Sequence, residues 1–238
     1  MPVAPISFFG LKCNIDTGMA NTTLLIAPYH GERFHPDMFQ RLGVACPATI
    51  RSSVAKRQAS FLAGRAMVAH AFDLAQLPPS DIPIGPNRAP IWPTGISGSI
   101  SHTTKFCACL VSQNPMQFVG IDIETFLTAK NLPAVMKRVI TDHEKKWLAT
   151  QDDEIDLELC TLIFSAKETI YKALFPIAQH FFGFDAAHIS ALPNGQTIQF
   201  HLTQHLHQSL PSGLTLTVHY KIVSNHVLTW LIFDQPQL

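Results

Sequence analysis

Val119-Gly120-Ile121-Asp122-Ile123-Glu124 is a short apolar stretch carrying two carboxylates two residues apart. Side chains alternate faces along a strand, so Asp122 and Glu124 point one way while Ile121 and Ile123 point into a core. Two like charges side by side cost repulsion and desolvation unless a cation or a shared proton relieves them. The stretch is therefore expected to form half of a hard-metal site. Magnesium is the natural occupant, since it takes oxygen ligands at about 2.0–2.1 Å, often from one or two carboxylates, and leaves places for water and phosphate. The alternative for the same residues is a sheet edge at which the pair faces water.

Around this stretch lie 238 residues, 47% of them hydrophobic, enough for one large domain or two small ones. The net charge is zero, but its distribution is uneven. From Met38 to Ile121 there are seven basic residues (Arg41, Arg51, Lys56, Arg57, Arg65, Arg88, Lys105) against Asp73 and Asp81. Nine acids follow between Asp122 and Glu158. A basic half beside an acidic half suggests a polyanionic ligand on one and a metal on the other; ordinary solvated faces are the alternative. Five cysteines without C-x-x-C spacing support neither a disulfide framework nor a zinc knuckle, and fit reduced thiols. No leader pattern appears and no apolar run reaches the roughly eighteen residues of a membrane span, so a cytoplasmic protein is expected. Nothing calls for a nucleic-acid partner.

Apolar residues at helical spacing predict a helix over Ser53–Ala75, with Lys56, Arg57 and Arg65 off the stripe, where guanidinium forks suit oxyanions or simply face water. Six prolines between Pro78 and Pro93 fix an extended connector that presents Arg88. Gly95–His102, Phe106–Val111 and Phe118–Glu124 then read as three strands joined by short turns, an antiparallel meander. A helix is expected around Pro133–Ile140, and Thr141 with Glu144 has the spacing of a capping box, which gives Glu144 a structural alternative to any catalytic role. The acidic run Asp152–Glu158 reads as a solvated loop. In the helix after it, Ala166, Ile170, Ala173 and Leu174 form one stripe and Glu168 and Lys172 share another face; Ser165 and Glu168 also fit a capping box. Strands are expected at Thr197–Leu202, Leu214–Val223 and Val227–Phe233. Helix followed by antiparallel strands thus occurs twice, a possible duplication with a seam near residue 118. His201, His205 and His207 lack a partner at ligand spacing and give little support to a metal site.

In order, Lys56-Arg57 to Gly64-Arg65, Arg88-Ala89-Pro90-Ile91-Trp92-Pro93, Ser99-Ile100-Ser101-His102, Gly120-Ile121-Asp122-Ile123-Glu124 and Phe164-Ser165-Ala166-Lys167-Glu168 to Tyr171-Lys172-Ala173-Leu174 resemble the 4'-phosphopantetheinyl transferases of the surfactin- and enterobactin-synthetase activating type, the enterobactin type most. The motifs cover about half the chain. Phe164 stands where that family often has tryptophan.

The resemblance implies an α+β, pseudo-twofold fold of two similar halves, 1–118 and 119–238, each with a helix on an antiparallel three-stranded sheet, and a site at their seam. It implies transfer of the phosphopantetheine arm of coenzyme A to a serine of an acyl, peptidyl or aryl carrier protein, releasing adenosine 3',5'-bisphosphate, by a monomer serving fatty-acid, polyketide or nonribosomal-peptide (siderophore) synthesis. By likeness of position, Asp122, Glu124 and Glu168 would hold magnesium and Glu144 would be the general base, with Lys172 and His102 meeting developing charge. Arg57, Arg65 and Arg88, with Ser101, His102, Lys167 and Lys172, would cradle coenzyme A. Another magnesium-dependent phosphoester enzyme and a non-catalytic carrier-protein binder are the competing readings.

Overall fold

Apolar and β-branched residues between Thr22 and Pro28 form a strand whose Leu24–Ala27 segment is wholly buried in the computed structural model, which describes residues 8–148 and 156–234. The chain divides into two compact units, Met1–Pro115 and Met116–Leu238. Each places one long helix on an antiparallel sheet, so the α+β class is the one adopted. Among the described residues, no helix is long and apolar enough to cross a membrane.

The first unit contains β1 (Cys13–Ile15), β2 (Thr22–Pro28), α1 (Met38–Arg41), α2 (Ala48–Arg51), α3 (Ala55–Leu74), β3 (Ser97–His102) and β4 (Phe106–Ser112). Its sheet runs β1-β2-β4-β3. The core lies between α3, which contributes Leu62, Met67 and Phe72, and the sheet residues Leu25, Ala27, Cys107, Cys109 and Val111. The place beside β4 that the expected meander assigns to residues 118–124 belongs to β2, in the register Leu25↔Cys109. The sheet therefore has four strands rather than three. Sequence proximity favours a hairpin, but β2 supplies a continuous buried apolar run to match β4.

The second unit comprises β5 (Gln117–Thr125), α4 (Leu132–Arg138), α5 (Asp142–Leu148), α6 (Leu157–Ala178), β6 (Ala187–Asn194), β7 (Thr197–Leu202), β8 (Thr215–Val223) and β9 (His226–Asp234), with sheet order β5-β9-β8-β7-β6. The carboxylate-bearing β5 pairs with β9, Asp122 opposite Thr229 and Gly120 opposite Leu231. This sheet has five strands, because β5 joins it and β6, which has no clear alternation in sequence, forms its far edge. The expected capping box at α5 is present: the Glu144 amide donates to Thr141 Oγ1 (3.3 Å) and the Thr141 amide to Glu144 Oε2 (2.8 Å).

The second expected capping box is absent. α6 begins at Leu157, capped by Asp156 Oδ1, which accepts from the amides of Glu158 (2.8 Å) and Leu159 (3.1 Å), so Ser165 lies in mid-helix. Asp156 and Glu158 thus belong to the helix start; Asp152, Asp153 and Glu154 of the expected loop lie outside the described residues.

Alternation along β5 holds as expected, the two carboxylates sharing one face and the two isoleucines buried on the other. Gly120, Asp122 and Glu124 face α6, the side of the unit's core, while Ile121 and Ile123 are buried on the opposite face of the sheet. Gly120 makes this possible: a Cβ there would collide with the Thr169 carbonyl oxygen of α6. Gly120→Ala should therefore destabilise the protein by at least the about 1–3 kcal/mol typical of overpacking. Chemical denaturation measures it, and an unchanged midpoint would contradict the close approach.

Candidate active site

α6 carries a polar stripe, Ser165, Glu168, Thr169 and Lys172, at positions i, i+3, i+4 and i+7 of one face. That stripe lies on β5. Ser165 Oγ donates to Asp122 Oδ2 at 2.9 Å and lies 2.8 Å from Thr229 Oγ1, which is 2.7 Å from Thr169 Oγ1. Lys172 Nζ donates to Asp122 Oδ1 at 2.7 Å and to the Ile121 carbonyl at 3.1 Å. Asp122 is only 3% exposed and is ringed by donors on both oxygens. Ser165, Thr169 and Thr229 are absent from the sequence-based site; a polar stripe at helical spacing was there to find the first two, while Thr229 comes from β9.

The other two carboxylates share this field. Burial, aided by Asp122 and Glu168 and opposed by Lys172, pushes the Glu124 carboxyl up to about 8. Glu168 is also raised, by burial first and then Asp122, with Lys172 opposing. Asp122, Glu124, Glu168 and Lys172 therefore form one electrostatic group. It sets three oxygen-bearing carboxyls against one ammonium, a chemistry that suits a hard divalent cation. Among the described residues, no three or more His, Cys, Asp and Glu side chains are arranged to hold a metal as they stand. Here Lys172 holds one oxygen of Asp122 and Ser165 the other.

An apolar cavity of about 230 Å³ opens beside Glu168, walled by Ile170, Tyr171, Phe182, Phe184 and the 80% exposed Phe181. Lys167, the neighbour of Glu168, turns elsewhere. It is 3% exposed, and Nζ donates to Glu144 Oε2 (2.7 Å) and the Val139 carbonyl (2.9 Å). Burial lowers its pKa, while the attraction of Glu144 acts the other way.

In the first unit, Arg57, Phe61 and Arg65 follow at four-residue spacing on α3. The Arg65 guanidinium lies over the Phe61 ring at 4.6 Å, and its Nε donates to the Ile82 carbonyl at 2.8 Å. Burial, then the charge of Arg57, lowers Arg65 to about 10. Arg57 is exposed at the start of the helix. Arg88 sits in left-handed backbone (φ 63°) in the proline-rich connector, an unusual conformation for arginine. Ser101 and His102 end β3, Ser101 buried and His102 exposed. These basic and polar residues belong to one unit, the carboxylates to the other.

Two family models match the chain: the 4'-phosphopantetheinyl transferase N-terminal domain over residues 46–112, and the 4'-phosphopantetheinyl transferase superfamily over 118–229. The chain belongs to the 4'-phosphopantetheinyl transferase superfamily. Similar proteins include enterobactin synthase component D of Salmonella typhi (38% identical, over 64% of this chain and 62% of that one). A 4'-phosphopantetheinyl transferase, Npt, of Nocardia iowensis is 36% identical over 59% of this chain and 62% of its own. PptT, a 4'-phosphopantetheinyl transferase of Mycobacterium tuberculosis, is 32% identical over 59% and 61%. The matches thus span about three fifths of the length of these relatives.

Within this superfamily fold Glu144 has no room for the general-base role expected of it. It is fully buried; Oε2 accepts from Lys167 Nζ, the Thr141 amide and Thr141 Oγ1 (3.0 Å), and Oε1 from the Ile189 amide (3.0 Å). A carboxylate so occupied ties α5 to α6 and β6 and has no exposed lone pair to offer a substrate. For the same reason Lys167 is not placed to hold a phosphate. Glu144→Ala, leaving Lys167 as an uncompensated buried charge, should cost about 3–5 kcal/mol of stability, and a Glu144→Leu, Lys167→Met double variant should recover much of it. Denaturation of the three proteins checks this; a Glu144→Ala protein of undiminished stability would restore the catalytic reading.

Proposed function

We propose that the chain transfers the 4'-phosphopantetheine arm of coenzyme A to a serine of an acyl, peptidyl or aryl carrier protein, with magnesium held by Asp122, Glu124 and Glu168. The single observation that carries this is the buried carboxylate group around Lys172, whose Glu124 is pushed up to about 8 by burial first and then by its like-charged neighbours. Groups this crowded gain most from a bound cation. When bound, magnesium supplies neutralisation of pyrophosphate charge.

The residues of this chain divide the remaining work. Arg57, Arg65 and Arg88 hold the phosphates of coenzyme A, bidentately where the fork allows. Ser101 and His102 add polar contacts to the donor. The apolar cavity beside Glu168 fits the largely uncharged arm. The serine Oγ attacks the phosphorus that carries the arm, the bridging P–O bond breaks, and adenosine 3',5'-bisphosphate leaves. Lys172 and His102 meet the charge that develops on the phosphate oxygens. The serine proton leaves to solvent water as the new P–O bond forms, and Glu168, at the cavity wall, keeps the role of metal ligand.

Purified protein, coenzyme A and magnesium, incubated with apo-carriers of each class, should yield a carrier heavier by one phosphopantetheine arm in intact-mass spectrometry. Glu168→Gln should slow this by about a hundredfold or more without altering the fold. Consumption of coenzyme A without carrier modification would indicate a phosphoester hydrolase instead, and carrier binding without turnover a non-catalytic partner.

A further inference from the structure

Two consecutive residues of α5 meet two consecutive residues of β6. On the inner side the Ile189 amide donates to the buried Glu144 carboxylate at 3.0 Å. On the outer side the rings of His143 and His188 are 4.7 Å apart, centroid to centroid. His188 also faces His201 directly across the β6–β7 pair, at 6.1 Å. Three imidazoles thus step from helix to strand to strand, none of them used by the chemistry proposed above.

We infer that this imidazole ladder makes the contact of α5 with β6 an acid-sensitive joint, closed while the rings are neutral and loosened when adjacent rings take up protons. Neutral rings at this separation pack as ordinary aromatic surfaces; two imidazolium ions there repel. The groups facing His188 are His143 and Glu144 from α5, His201 from β7 and Lys167 from α6. Burial first, then His143, with His201 and Lys167 in the same sense, disfavours its charged form, and Glu144 alone opposes them. Elsewhere on α5, Asp142 is paired with Lys145 at 2.8 Å.

The sign follows from linkage. His188 holds its proton less tightly folded than unfolded, so the folded state binds fewer protons below the ordinary histidine value of about 6.5. The stability contributed by the joint is complete above that pH and is lost as pH falls through it. The change is centred on α5, β6 and β7, the elements that carry the three rings, and it holds whatever reaction the carboxylate group performs.

Amide hydrogen exchange, expressed as protection factors at pH 7.5 and 5.5, tests the joint. In the unaltered protein the Ile189 amide and the α5 amides should lose about fivefold of their protection at pH 5.5, the effect of repulsion between adjacent imidazolium rings at the surface. Amides of α3 in the first unit should keep theirs. His188→Gln should abolish the pH-dependent loss; His143→Gln, at an exposed helix position that tolerates substitution, should reduce it even if the first variant folds poorly. Equal protection at both pH values, or an undiminished loss in the His143→Gln protein, would overturn the inference.

Discussion

Docking α6 on the carboxylate-bearing face of β5 is the constraint from which the rest of the second unit follows. A 22-residue helix with an apolar stripe has to cover the sheet, and Gly120 lets its backbone come within contact of the strand. The face it covers, however, carries Asp122 and Glu124. Removing those charges from water is offset only because the helix brings hydroxyls and one ammonium along the same stripe: Ser165 and Lys172 satisfy both oxygens of Asp122, and Thr169 and Thr229 complete the hydroxyl chain. Glu124 and Glu168 are left with less compensation, and their raised proton affinity is the physical measure of that deficit.

The neighbours Lys167 and Glu168 show how one helical turn serves two ends. About 100° apart on α6, they point to different partners. Lys167 closes a buried ion pair with Glu144 that joins α5, α6 and β6, while Glu168 reaches the carboxylate group and the cavity wall. The pair with Glu144 contributes to how firmly that turn is held, and hence to where Glu168 stands. A motif that reads as a run of functional side chains is, in space, half framework.

Much of this was legible in the sequence because it depends on local periodicity. The helix of the first unit, the alternation along β5 and the capping box of Thr141 and Glu144 follow from spacing alone, and the strands Thr197–Leu202 and Thr215–Val223 fall within a residue of their expected bounds. What was not legible is non-local. That β5 pairs with β9 rather than with β4 depends on strands a hundred residues apart, and which face of β5 meets α6 depends on Gly120 and Thr169 being in register. Ser165 fits a helix cap by spacing, yet the helix had already begun at Leu157 under the cap of Asp156. Glu144 was open to both a structural and a catalytic role until its partners, Lys167 and Ile189, were in place around it.

The central claim is that three carboxylates and Lys172 form one undercompensated group fit for a cation. The most direct measurement is a carbon-13 NMR titration of the Glu124 side-chain carboxyl, with and without magnesium. The account predicts a midpoint of about 8 in metal-free protein, falling markedly when magnesium is added. A midpoint near the ordinary glutamate value of about 4.3, unmoved by magnesium, would contradict it.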